Sequence, residues 1–227
     1  MSWVVVPAAG SGRRFGGAFP KQYLLLDGQP LIGHTLDRLA GHPAIDGIVV
    51  VLAAQDPHWP GWRERCGKPV LTCVGGAERA DSVLAGLRAL PSSVSDDEFV
   101  LVHDAARPCL RAADLEALIE QGKRHPVGAL LAAPVRDTLK RGDDELAVLG
   151  TEPRDGLWRA LTPQMFRRGG LTRALEAALS AGVAVTDESM AMERLGLRPL
   201  LVEGSEDNIK VTTPADLALA EFVLSRG

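Results

Sequence analysis

Short runs of β-branched and other apolar residues punctuate the chain at Trp3–Val6, Ile48–Leu52, Val70–Val74, Phe99–Val102, Val127–Ala133 and Leu200–Val202. Most are continuous rather than alternating, as strands buried on both faces of a parallel sheet must be. Between them the apolar period changes. Val83, Leu84, Leu87 and Leu90 recur at helical spacing, as do Leu115, Leu118 and Ile119. Near the end, Thr213-Pro214-Ala215-Asp216 supplies a capping hydroxyl, a proline at the first helical position and a carboxylate at the third, ahead of Leu217, Ala220 and Leu224 on one face. A helix starts there. The alternation of strand and helix predicts an α/β architecture with a mostly parallel sheet flanked by helices.

One stretch departs from this rhythm. From Pro134 to about Pro163 the chain turns polar, carrying Arg136, Asp137, Lys140, Arg141, Asp143, Asp144, Glu145, Glu152, Arg154 and Asp155. Within it, Thr138-Leu139-Lys140 and Ala147-Val148-Leu149 can pair as a hairpin across Arg141–Glu145. So charged a hairpin, with few apolar residues, is either a solvated surface excursion or an arm that leans on a partner.

The 227 residues, 46% hydrophobic and 24% charged, suit one globular α/β domain over residues 1–227. A formal net charge of -4, from 25 Lys and Arg against 29 Asp and Glu, excludes a broadly basic nucleic-acid binder. The three cysteines, Cys66, Cys73 and Cys109, form no C-x-x-C pair, which argues against a disulfide framework or a zinc knuckle. No apolar run approaches the roughly 18 residues of a membrane span. The N-terminus reads as a strand rather than a signal, so the expectation is a soluble, cytoplasmic chain without a membrane partner.

The richest chemistry follows the first strand: Pro7-Ala8-Ala9-Gly10-Ser11-Gly12-Arg13-Arg14-Phe15-Gly16-Gly17-Ala18-Phe19-Pro20-Lys21-Gln22. Small residues let phosphate approach backbone N–H groups, and Arg14 and Lys21 add cations. The glycine spacing is one residue off the dinucleotide fingerprint, and no G-K-[ST] follows as a P-loop demands. Gly75-Gly76-Ala77-Glu78-Arg79-Ala80-Asp81-Ser82 is a second strand end running into a helix. Its glycines can admit a flat base while Ser82 hydrogen-bonds it, or it is a turn in which Asp81 or Ser82 caps the helix. In Val102-His103-Asp104-Ala105-Ala106-Arg107, Asp104 is a natural Mg²⁺ ligand facing a triphosphate, and Arg107 either serves the ligand or pairs with Asp104 as a structural bridge. His103 is most economically a packing residue. A fourth cluster, Gly204 to Thr212, brings Asp207 and Lys210. Cations and carboxylates at several strand ends converge on phosphoryl or nucleotidyl transfer by charge stabilisation, with no protein nucleophile.

Taken in order, P-A-A-G-S-G-R-R-F with P-K-Q, G-G-A-E-R with S-V, H-D-A-A-R-P, A-P-V-R-D-T, L-T-P-Q, T-D-E and D-N-I-K-V-T resemble the 2-C-methyl-D-erythritol 4-phosphate cytidylyltransferases of the non-mevalonate isoprenoid pathway across nearly the whole chain. The resemblance implies a Rossmann-like nucleotidyltransferase fold and a homodimer interlocked through the arm. It implies that CTP and methylerythritol phosphate are joined with release of pyrophosphate. By matching residues, Ala8, Ala9 and Gly10 line the nucleotide, Gly76, Ala77 and Ser82 read cytosine and ribose, and Arg14 and Lys21 hold the triphosphate. Asp104 and Asp207 border Mg²⁺, or another divalent cation, and substrate. Arg107 and Lys210 face methylerythritol phosphate, and Thr138 and Arg154 come from the partner's arm. Phe15 stands where many relatives carry Met, and Ala77 is small where a polar residue can occur, which leaves the base contact more dependent on backbone atoms. A cytidylyltransferase for another polyol phosphate, such as ribitol 5-phosphate, is the alternative enzyme. A regulatory CTP-binding module is the alternative of another class, and the full set of charged rim residues argues against it.

Overall fold

A computed structural model describes residues 2–10 and 19–226. Its centre is an eight-stranded sheet built from β1 (Ser2–Pro7), β4 (Ile45–Leu52), β5 (Glu64–Arg65), β6 (Lys68–Val74), β7 (Phe99–Val102), β8 (Gly128–Pro134), β11 (Trp158–Arg167) and β12 (Leu200–Glu203). The strand order is β12-β8-β11-β7-β1-β4-β6-β5. All pairings are parallel except those of β11 with β7 and β8 and of β5 with β6. Two short pairs stand apart: β2 (Leu25–Leu26) with β3 (Gln29–Pro30), and β9 (Leu139–Gly142) with β10 (Val148–Glu152).

The continuous apolar strands do cover both faces. Val4 and Val6 of β1 pack with Ile48, Val50 and Leu101 against α1 (Leu31–Ala40) and α3 (Ala112–Arg124) through Ile32, Leu36, Leu115 and Leu118. The intervening Val5 joins Val49, Val51, Val100 and Val102 on the opposite face, under α2 (Arg79–Arg88), α4 (Arg168–Ser180) and α5 (Glu188–Arg194). Residues alternating along one strand thus feed two cores, the reason its sequence shows no polar face. α2 comes so close to the sheet that a Cβ on Gly86 would lie 2.4 Å from Val5 Cγ1. α6 (Pro214–Leu224) starts as its sequence predicts: Thr213 Oγ1 accepts from Asp216 N, and Asp216 Oδ2 accepts from Thr213 N at 2.7 Å.

β11 is the element the apolar pattern does not reveal. Its ten residues lie mid-sheet although they include Pro163, which cannot donate to a ladder. The proline is absorbed where the register with β8 shifts between Ala160 and Gln164, and the Thr162–Pro163 peptide is cis. The charged stretch beginning at Pro134 is therefore shorter than the sequence suggests, because Trp158 already pairs with Pro134. Its hairpin forms, but four residues of β9 pair with β10 in the register Lys140↔Thr151 and Leu139↔Glu152. Leu146, Val148 and Leu149 on it are exposed.

Candidate active site

Parallel strands deliver their carboxyl ends to one rim, and the clusters singled out in the sequence follow β1, β6, β7 and β12. A cleft of about 610 Å³ opens there, lined among others by Ala8, Ala9, Gly10, Lys21, Gly76, Ala77, Ser82, Asp104 and Lys210. These residues come from segments as far apart as Ala8 and Lys210, and the fold brings them to one cavity. Arg14 lies outside the described residues.

Gln22 is tied back to the end of β1. Gln22 is buried, and its Nε2 donates to the carbonyls of Ala8 at 2.8 Å and Gly10 at 3.2 Å. The same turn of chain holds Lys21, whose Nζ donates to the carbonyl of Val211 at 2.7 Å. Lys21 and Lys210 therefore approach the cleft from segments that are bonded to each other. Among the described residues, nothing lies within 4 Å of a Cβ built on Gly10.

The Gly75–Ser82 turn does start a helix, as one of its two readings expects. Glu78 is the N-cap of α2, and its backbone N–H donates to Asp81 at 3.0 Å, so Asp81 serves the helix start. Ser82 is buried and accepts from Gly76 N at 3.3 Å, which folds the turn tightly against the cleft wall. A Cβ on Gly75 would lie 2.6 Å from Ser82 Oγ.

Asp104 is the electrostatic hub. Its side chain is 10% exposed and accepts from Lys210 at 2.9 Å, Arg79 at 3.2 Å and Arg107 at 3.3 Å. Burial alone would push its pKa up, but the attraction of Arg79, Lys210 and Arg107 outweighs it and holds the carboxyl far below the ordinary range. Arg107 also donates to the carbonyl of Asn208 at 2.7 Å, so it is indeed a bridge between the β7 end and the segment bearing Lys210. His103 is a packing residue as expected. Its ring is fully buried between Thr162 Oγ1 and the carbonyl of Arg107, at 3.0 Å each, and burial lowers its pKa to about 4, so it is neutral.

Two charged groups of this cluster escaped sequence reasoning. Arg79 lines the cleft at the first turn of α2, and Glu188, fully buried in α5, takes its guanidinium at 2.5 and 3.1 Å. Both occur within the motifs G-G-A-E-R and T-D-E, yet no local spacing signals a contact across 109 residues. Three cations against two carboxylates leave this wall net positive, suited to an anion.

The remaining candidates stand elsewhere. Asp207 is not among the residues lining the cleft; its carboxylate pairs with Arg111. Thr138 and Arg154 are exposed on the hairpin arm, where Arg154 donates to the carbonyl of Arg136. The arm's root is tied to the same region, since Glu206 pairs with both Arg136 and Arg159. Among the described residues no three His, Cys, Asp or Glu side chains gather as a metal site.

A family model described as 2-C-methyl-D-erythritol 4-phosphate cytidylyltransferase matches residues 2–226. A protein of that name from Stenotrophomonas maltophilia is 68% identical over 224 residues, covering 99% of this chain and 97% of its own length. One from Xanthomonas oryzae pv. oryzae is 66% identical over 224 residues, covering 99% of this chain and 82% of its own. Among solved structures, the Francisella tularensis enzyme of the same name superposes with a TM-score of 0.84 at 34% identity, over 98% of this chain and 99% of that one. The Thermus thermophilus enzyme superposes with a TM-score of 0.80 at 31% identity, over the whole of both chains.

Proposed function

Because the chain belongs to the 2-C-methyl-D-erythritol 4-phosphate cytidylyltransferase family, we propose that the rim cleft is where its cytidylyl transfer takes place. The reaction joins CTP and methylerythritol phosphate to give 4-diphosphocytidyl-methylerythritol and pyrophosphate, a step of isoprenoid precursor synthesis. The observation that carries the assignment of the site is the convergence of Lys21, Arg79 and Lys210 on one cavity beside the Ser82 turn.

CTP lies with its base in the Gly76–Ser82 turn, ribose along Ala8 and Ala9, and triphosphate over Gly10, Lys21 and Arg14. Gly76 and Ala77 are small, so backbone atoms of this turn meet the pyrimidine beside Ser82. Methylerythritol phosphate enters beside Asp104, Arg107 and Lys210, with Asp207 bordering it. One of its phosphate oxygens attacks the α-phosphorus of CTP in line; a new P–O–P bridge forms, the bond to the bridging oxygen of pyrophosphate breaks, and that oxygen leaves with the electron pair. The acceptor is already anionic, so no general base is needed. The side chains hold two anions together and stabilise the charge gathering on the α-phosphate.

A divalent cation, when bound, would supply further charge at the triphosphate, as is general for such transfers. A pair of carboxylates from Asp104 and Asp207 does not fit as its cradle: both oxygens of Asp104 are engaged by cations, and Asp207 pairs with Arg111. Thr138 and Arg154 complete the acceptor end from a second subunit, the exposed apolar residues of the hairpin supporting an arm that is covered in a homodimer. The chain is one nucleotidyltransferase domain, each site finished by the partner's arm, and it works in the cytoplasm without nucleic acid or membrane partners.

The test is pyrophosphate release with Mg²⁺ and each nucleoside triphosphate, comparing methylerythritol phosphate with ribitol 5-phosphate. Release with CTP and methylerythritol phosphate is expected. Equal turnover of ATP, or faster turnover of ribitol phosphate, would overturn it.

A further inference from the structure

Glu188 is a buried carboxylate to which the transfer chemistry gives no task. It sits at the start of α5, and β11 fixes it there on both sides: Gln164 Nε2 donates to the Asp187 carboxylate at 2.9 Å, and Gln164 Oε1 accepts from Ser189 N at 2.8 Å. Burying a rigid carboxylate costs free energy unless a partner compensates it, and that partner is Arg79. The guanidinium is shared unequally. Its contacts to Glu188 are 2.5 and 3.1 Å, whereas its Nε and Nη2 reach Asp104 Oδ1 at only 3.4 and 3.2 Å. The other Asp104 oxygen accepts Lys210 at 2.9 Å. Arg79 thus stands between two carboxylates, drawn to the one outside the cleft.

We propose that Glu188 is a positioning residue for cytidylyl transfer: it restrains Arg79 from closing a full fork on Asp104 and thereby keeps Asp104 matched to Lys210 at the acceptor end of the cleft. An arginine forms a planar two-pronged grip on a free carboxylate, which a lysine cannot match on the same oxygens. Without Glu188 the fork shifts to Asp104, competes with Lys210 for it, and disturbs the acceptor end while the Gly10 and Ser82 side of the cleft keeps its geometry. The inference rests on the acceptor lying beside Asp104 and Lys210.

The experiment compares Glu188→Gln, Arg79→Met and the double variant, reading kcat, KM for methylerythritol phosphate, and CTP affinity by titration calorimetry. Wild-type turnover of CTP with methylerythritol phosphate is the control; its absence would sink the reading of the reaction itself, independently of Glu188. The amide variant keeps shape and removes charge. It is expected to lower kcat/KM for the acceptor by roughly ten- to a hundredfold, the scale of a misplaced active-site group, while CTP affinity holds within about two-fold. In the Arg79→Met background the further substitution Glu188→Gln should change neither constant by more than about two-fold, because the hydrogen-bonded link from Glu188 through Arg79 to Asp104 has been removed. Equal losses in CTP and acceptor affinity, unaltered acceptor constants in Glu188→Gln, or additive effects in the double variant would each overturn the proposal. Should Glu188→Gln fail to fold, Glu188→Asp, which keeps charge but withdraws it by a methylene, must show the same acceptor-only loss, and its absence would likewise overturn it.

Discussion

Gln22 holds Ala8: the side-chain amide donates to the backbone carbonyl at 2.8 Å and fastens the end of β1 to the turn that carries Lys21. The same nitrogen reaches the Gly10 carbonyl at 3.2 Å, so one buried side chain spans the two sides of the glycine-rich segment. Gln22→Leu, close in volume but without a donor, should leave the melting temperature nearly in place and lower kcat/KM for CTP by about ten- to a hundredfold through misplaced backbone. Unchanged kinetics would mean that the loop needs no tether.

Lys21→Ala and Arg14→Ala should each lower kcat by roughly 100- to 10,000-fold with the fold intact, since each removes charge from a transition state that gathers negative charge. Arg14→Lys should be poor as well, because a point charge does not replace a planar fork on phosphate oxygens. Steady-state kinetics with circular dichroism separates this from unfolding, and near-wild-type kcat in either alanine variant would make the loop structural.

Asp104→Asn takes away the anion that three cations share. Breaking a buried ion pair on one side costs about 3–5 kcal/mol, so urea unfolding should show a clear loss of stability together with a loss of turnover. If stability is unchanged, the cations do not depend on Asp104.

Some of this was legible in the sequence and some was not. The Asp104 and Arg107 pair could be weighed from a spacing of three residues at a strand end. Asp104 with Lys210, or Arg79 with Glu188, could not, because such contacts are set by sheet order and leave no local period. Continuous apolar strands announced themselves, whereas β11 did not: its Trp158-Arg159 start and its proline look like loop, and only the register shift beside β8 makes them compatible with a central position. A carboxylate in T-D-E reads as an ordinary helix start, and its burial follows from α4, α5 and β11 packing together. The pairing of Asp207 with Arg111 is likewise a tertiary event that its neighbours in sequence do not foretell.

Acid should loosen the C-terminal helix. Hydrogen bonds from Thr212 and Thr213 lower the pKa of the Asp216 carboxyl to about 2. A carboxyl depressed in the folded state adds stability that is fully present above its unfolded pKa of about 3.9 and disappears as pH falls toward the folded value. Asp216→Asn should therefore lower the melting temperature at neutral pH and flatten its decline across that acid window. An equally steep decline in the variant would place the acid sensitivity elsewhere.

A mixing experiment addresses the arm. Lys210→Ala damages the cleft and Arg154→Ala the hairpin, each leaving little activity alone. If the arm serves a neighbouring subunit, half of the sites in a heterodimer are free of lesions, and random exchange should restore roughly a quarter of wild-type activity in a two-fold dimer. Mixing that restores nothing, with subunit exchange confirmed independently, would confine the arm to its own chain.

The way the hairpin is rooted makes it a cassette. It leaves the sheet at Pro134 and returns at Trp158, and those two residues face each other as register partners on adjacent antiparallel strands. Such a junction can be closed by a short connection without moving any strand. The chain thus separates two kinds of inheritance. The parallel strands and their glycine turns must be kept together to hold a nucleotide, whereas the segment between Pro134 and Trp158 can be shortened, lengthened or exchanged as one piece. Grafting a different hairpin onto this pair of positions is the least disruptive route to a transferase with an altered acceptor or an altered assembly.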